Sequence, residues 1–148
     1  MRASAGLSLV EALSVLALLV VLLAVAVPHL PPSPELSARA VARQLVADLY
    51  LSQRLSIARG EDYELAFATP PPYQAYTVRN ARTQVPEPDF PKQVPSEVQV
   101  TGPSGVYYTP PEGMVRLLGV GPITVRGGTQ TVLIEVLEPS GYVRVTPP

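Results

Sequence analysis

One carboxylate stands where a carboxylate is costly. Glu11 follows Gly6-Leu7-Ser8-Leu9-Val10 and precedes Ala12 to Val27, sixteen residues without a charge, which run up to Pro28. At about 1.5 Å rise per residue, the stretch from Leu7 to Val27 is roughly 30 Å long, the thickness of a bilayer's hydrocarbon core. A charge in the middle of such a helix costs on the order of 3 kcal/mol to insert, and less near its end. Glu11 therefore asks for a cation. A buried amine from a neighbouring chain would serve, because a carboxylate beside an amine costs far less than either alone.

The other chemistry-bearing residues form no catalytic set. There is no phosphate-binding loop, dinucleotide fingerprint or metal-ligand spacing. His29 is the only histidine, which excludes a multi-His metal cluster and leaves Ser104 and Ser140 without a base. No enzyme activity, cofactor or metal is expected. Glu61, Asp62 and Glu64 cluster, but alternate strand positions face opposite sides, and a solvated turn accounts for them. Tyr73, Tyr76, Tyr107, Tyr108 and Tyr142 suit either a stacking platform for single-stranded nucleic acid or the cover of a half-buried sheet.

Behind Glu11 lie the elements that must position it. Pro28 to Pro34 holds four prolines and breaks or bends the first helix. Ser33 is a good N-cap for a second helix, with Pro34 at its first position and Glu35 at the positive end of its dipole. That helix runs to about Arg59 and stops at Gly60. Ala38, Val41, Ala42, Leu45, Leu49, Ser52 and Ser56 share one face, with Arg43, Ala47, Tyr50 and Arg54 opposite.

From Tyr63 onward the pattern predicts strands. They are Tyr63–Ala68, Gln74–Arg79, Val98–Thr101, Val106–Thr109, Ile123–Arg126, Thr131–Val136 and Tyr142–Thr146, rich in Val, Ile, Thr and Tyr. Gly127 to Gln130 reads as a hairpin connection, and Asn80 to Glu97 as a long surface loop. Composition allows one modest domain beyond the apolar stretch. The net charge of −1 makes no electrostatic case for nucleic acid, and without cysteine the domain must be held by packing.

The run Gly6-Leu7-Ser8-Leu9-Val10-Glu11, followed by apolar residues, resembles the prepilin motif of type IV pilins and type II secretion pseudopilins. The run Ala42 to Leu49, then Arg54 and Ile57-Ala58-Arg59-Gly60 before a strand, resembles the FimT/GspH minor pilins. So do Thr131 to Val136 and Gly141 to Val145. The resemblance implies an α+β, pilin-like fold: a long N-terminal helix, half in the membrane and half amphipathic, packed on an antiparallel β-sheet domain. It implies a leader at residues 1–6, a transmembrane or filament-core helix at 7–28, a linker and amphipathic helix at 29–60, and a β-rich region at 61–148. Residues 29–148 would form one soluble domain.

The resemblance also implies how the chain works. A prepilin peptidase would cut between Gly6 and Leu7 and methylate the new amine of Leu7. Glu11 would then neutralise the N-terminal amine of a neighbouring subunit during assembly, and Pro28 would kink the helix. The positive-inside rule keeps the N-terminus cytoplasmic, because after Arg2 no Lys or Arg occurs before Arg39. The expected protein is a structural subunit of a type IV pilus or type II secretion pseudopilus. It would be anchored by a single pass in the inner membrane, with its globular domain extracytoplasmic, before it enters the filament. Its partners would be other pilin subunits, the peptidase, the assembly platform and, before assembly, lipid. The alternative is a DNA-binding minor pilin for uptake in natural transformation. Its contacts would fall to Arg144, with Arg126 and Arg116 upstream.

Three readings compete without the resemblance. In a secretory signal peptide, Ala24-Val25-Ala26 would mark the cleavage site, but an acid does not belong at the head of the apolar region. The second is a membrane-anchored domain that never polymerises. The third is a buried helix of a soluble protein, which so long an apolar run does not suit.

Overall fold

The computed structural model describes residues 8–26 and 33–146. The chain divides into two units, Met1–Pro32 and Ser33–Pro148. In the first unit, helix α1 spans Leu9–Ala26. Ser8 opens it: the Glu11 N–H donates to Ser8 Oγ at 3.2 Å and to the Ser8 carbonyl at 3.0 Å.

The second unit is mostly sheet. Helix α2 (Pro34–Arg59) is followed by β1 (Tyr63–Phe67), β2 (Ala75–Asn80), β3 (Lys92–Gln93), β4 (Val98–Thr101) and β5 (Gly105–Thr109). Then come β6 (Met114–Leu117), β7 (Ile123–Gly127), β8 (Gln130–Leu137) and β9 (Tyr142–Thr146). They form two antiparallel sheets, ordered β3-β2-β1-β5-β6 and β4-β7-β8-β9.

These features correct the expected fold. The expectation was a long N-terminal helix, half in the membrane and half amphipathic, packed on an antiparallel β-sheet domain. Among the described residues the structure instead has two helices, of 18 and 26 residues, and nine strands in two antiparallel sheets, so that it is mostly sheet. Among the described residues, no helix is long and apolar enough to cross a membrane. As described, α1 has 18 residues and rises about 27 Å. Leu7, Val27 and Pro28, which the expected span included, lie outside the described residues, as does Gly6. The second sheet arises because the hairpin of β7 and β8 recruits β4 and β9, whereas β5 crosses to pair with β1.

Helix α2 has the bounds its capping signals predict. Ser33 accepts the Leu36 N–H at 3.3 Å, and Gly60 closes the helix in the left-handed region at φ 63°. Its buried face, from Ser37 through Leu45 and Leu49 to Ser56, packs against both sheets. There it meets Leu65, Val78, Val106 and Tyr108 of one sheet and Val100, Ile123, Val125 and Ile134 of the other, all nearly inaccessible to water. The helix runs alongside β8. Arg39 Nη2 donates to Gln130 Oε1 at 2.9 Å at one end, and Gln53 Nε2 donates to the Ser140 carbonyl at 3.2 Å at the other. Gly127 makes this approach possible, because a Cβ there would lie 2.2 Å from the Pro34 carbonyl oxygen.

Candidate functional site

The residues of the first unit that could do chemistry are few. Glu11 is exposed in the first turn of α1, and no basic residue lies in the helix's last turn. Around it, every Leu and Val from Leu9 to Leu23 is more than half exposed; Leu19, the least so, is 51 % exposed. Ser14 Oγ returns its proton to the Val10 carbonyl at 2.8 Å, so the only polar group held outward in these turns is the carboxylate. The cleavage and methylation positions, Gly6 and Leu7, and the kink at Pro28 lie outside the described residues.

In the second unit the acidic cluster is only in part the solvated turn expected from sequence: Glu61 is exposed in the bend after α2, whereas Glu64 is not. Glu64 is buried on β1 and ion-pairs with Arg79 across the β1–β2 ladder at 2.6 Å. Glu61 accepts from Asn80 Nδ2 at 2.5 Å. Nearby, Glu87 joins Arg59 and the Tyr63 hydroxyl, tying the end of α2 to the long loop after β2. Burial, then Glu87, raises the Tyr63 phenol above its ordinary pKa. These contacts hold loops together, and among the described residues no group of His, Cys, Asp and Glu side chains is arranged to hold a metal.

A residue that the apolar-stripe reading passed over organises the same loop. Asp48 sits on the buried face of α2 with its side chain 4 % exposed. It accepts from Lys92 Nζ at 2.8 and 2.9 Å, from the Tyr76 hydroxyl at 2.8 Å and from Gln44 Nε2 at 3.2 Å. Burial, then Asp48, pushes the Tyr76 phenol far above its ordinary value. The signal was present in the sequence: an acid on an apolar helix face, and a single lysine in the whole chain to answer it.

The arginines of the DNA-binding alternative do not converge. Arg116 belongs to β6 in one sheet and stands 5.4 Å from the Tyr107 ring. Arg126 and Arg144 belong to the other sheet, opposite Thr131 and Glu135, about 13 Å apart along β8. Arg144 approaches Glu135 at 3.6 Å. Nor is there a tyrosine platform: Tyr73, Tyr76 and Tyr108 are core residues, and Tyr73 stacks on Phe67 with ring centroids 4.7 Å apart.

A groove of about 470 Å³ lies between α2 and the edge of the second sheet. Its apolar floor is Ala42, Val46, Val132 and Val145, and Arg39, Arg43 and Gln130 line it. Comparison with protein-family models, with curated proteins and with solved structures found no match for this chain.

Proposed function

We propose that the chain is a minor pilin or pseudopilin, a structural subunit that packs through α1 among the corresponding helices of sibling subunits. The observation that carries this reading is the contrast between the units. The second unit closes its own core, whereas α1 leaves every large apolar side chain from Leu9 to Leu23 more than half exposed around one carboxylate. A helix that is apolar on all sides needs apolar cover. Once that cover is other protein, the Glu11 carboxylate needs a cation beside it. The amine freed by cleavage after Gly6 supplies one, from a neighbouring subunit. On this reading the chain waits at the inner membrane with its N-terminus cytoplasmic until the assembly platform draws it into a filament.

Processing provides the test. Intact mass of the protein purified from membranes should correspond to a chain beginning at Leu7, heavier by one methyl group. A bulky residue in place of Gly6 should leave the leader attached. Glu11→Val should leave insertion intact and reduce recovery in sheared filament fractions. A mature chain that starts at Val27 would establish a secretory signal peptide and end this reading.

A further inference from the structure

The groove between α2 and β9 lies beside an uncovered strand edge. The two sheets have four edge strands, β3, β6, β4 and β9. Exposed edges invite pairing with other chains, and proteins commonly shorten or cover them. Here β3 is two residues long. Along β6, the Val115 N–H donates to the Pro139 carbonyl at 3.0 Å and the Leu117 N–H to Glu138 Oε1 at 2.5 Å. Along β4, the Val100 carbonyl accepts the Tyr73 N–H at 2.7 Å. From Val143 to Thr146, β9 has no backbone partner among the described residues except β8.

The side-chain face at this edge is open as well. Val145 is paired with Ile134 and points to the helix side of the sheet, yet it is 45 % exposed where Ile134 is fully buried. A strand added at the usual spacing of about 4.8 Å would lay its inward side chains beside Val145 and Val46. Arg39 and Arg43 stand over the same groove, one helical turn apart, and like charges at that spacing repel. Neither has a carboxylate within 4.0 Å among the described residues. Arg39 donates to the neutral Gln130, and Glu35, one turn earlier, is turned to the Thr129 N–H. Because α2 runs along β8, the rise of about 6 Å between the arginines nearly matches the roughly 6.8 Å between alternate residues of a strand.

We propose that this edge is a docking site for an extended acidic segment of a partner protein. The segment adds a tenth strand to β9, sets carboxylates at alternate positions against Arg39 and Arg43, and places an apolar residue over Val46 and Val145. Backbone pairing gives it affinity, and the two arginines give it charge selectivity. The inference does not rest on the assembly reading and would stand if processing failed as predicted.

The test uses the full chain in detergent micelles and a short acetylated, amidated peptide. Alternate positions of the peptide are threonine, and the others carry two glutamates and a valine. Fluorescence anisotropy should show saturable binding, about tenfold weaker for the R39E/R43E double variant. Amide exchange of Val143–Thr146 should slow as the peptide saturates. Val145→Asp, at a half-exposed position, should weaken binding without unfolding the domain. Equal binding of the same peptide with lysine for glutamate would overturn the proposal, as would unchanged binding by R39E/R43E. Tighter, arginine-dependent binding of duplex DNA would assign the groove to phosphate instead. Protection of β9 that rises with protein concentration and needs no peptide would assign it to a second copy of this chain.

Discussion

Replacing Asp48 with alanine is the substitution from which the second unit should suffer most for the fewest atoms removed. The carboxylate holds three donors from three parts of the chain: Gln44 on α2, Tyr76 on β2 and Lys92 on β3. Its loss strands each of them differently. The Lys92 side chain is 28 % exposed, so water recovers much of its ammonium. The cost there is nearer the ~1 kcal/mol of a screened pair than that of a fully buried one. The Tyr76 hydroxyl is buried and, among the described residues, bonds only to Asp48, so losing that acceptor costs about 1–3 kcal/mol. With the small cavity, Asp48→Ala should cost about 3 kcal/mol, a large share of the 5–15 kcal/mol typical of a domain. The melting temperature should fall by about 10 °C. The chain from Ser33 onward should fold alone, since the described core consists of residues from Ala38 on, and its urea unfolding provides the assay. Tyr76→Phe removes one donor and leaves two, for about 1.5 kcal/mol. A double-mutant cycle of Asp48→Ala with Lys92→Met should show coupling. If Asp48→Ala cost under ~1 kcal/mol, or if the two changes were additive, the loop would be held by something else and the argument would fail.

Tyr108→Phe should do the opposite of Tyr76→Phe. The Tyr108 hydroxyl is buried without a partner among the described residues, so its removal should raise stability by about 1 kcal/mol in the same urea assay. Gly127→Ala should lower stability by about 2 kcal/mol, because its methyl would displace the Pro34 carbonyl and with it the first turn of α2. Burial raises the phenol pKa of Tyr76 and Tyr108 above the ordinary 10.0, so the native state holds these protons more tightly than the unfolded chain. Their contribution is whole below pH 10.0 and is lost as the pH rises beyond it; alkaline unfolding curves and near-ultraviolet titration should show both phenols ionising late.

Sequence specifies local events better than distant ones here, and α2 is the clearest case. Ser33, Pro34 and Gly60 each act within a few residues of the helix end, and the helix takes those bounds. The long strands alternate well enough to be read, β8 above all, with Val132, Ile134 and Val136 inward. Strand β6 was missed because only Val115 of its four residues is buried, which leaves no period to detect. Strand β3 was missed because two residues carry no pattern; Lys92 and Gln93 are strand only because Ala75 and Tyr76 lie beside them. The division of the strands between two sheets depends on pairings far apart in the chain, such as Tyr63 with Tyr108, which no local pattern records. Glu64 looked solvated because its partner, Arg79, is reached only when β1 and β2 pair. The groove was beyond sequence altogether, since Arg39 and Val145 meet only through α2 lying along β8. At Glu11, by contrast, the anomaly is visible in the sequence itself: one acid at the front of an apolar run.

The polar side chains of α1 are all at one end. Ser8, Glu11 and Ser14 occupy its start, and from Val15 to Ala26 there is none. Past Ser14 such a rod has no preferred azimuth: turned about its axis, it shows every neighbour the same aliphatic surface. It does have a preferred axial register, because only one level along it carries a group that a neighbour must match. Whatever surrounds α1 can therefore fix how far the helix is inserted far more firmly than how it is rotated. Sliding by one turn separates Glu11 from its match, whereas rotation along the aliphatic stretch exchanges one valine or leucine contact for another.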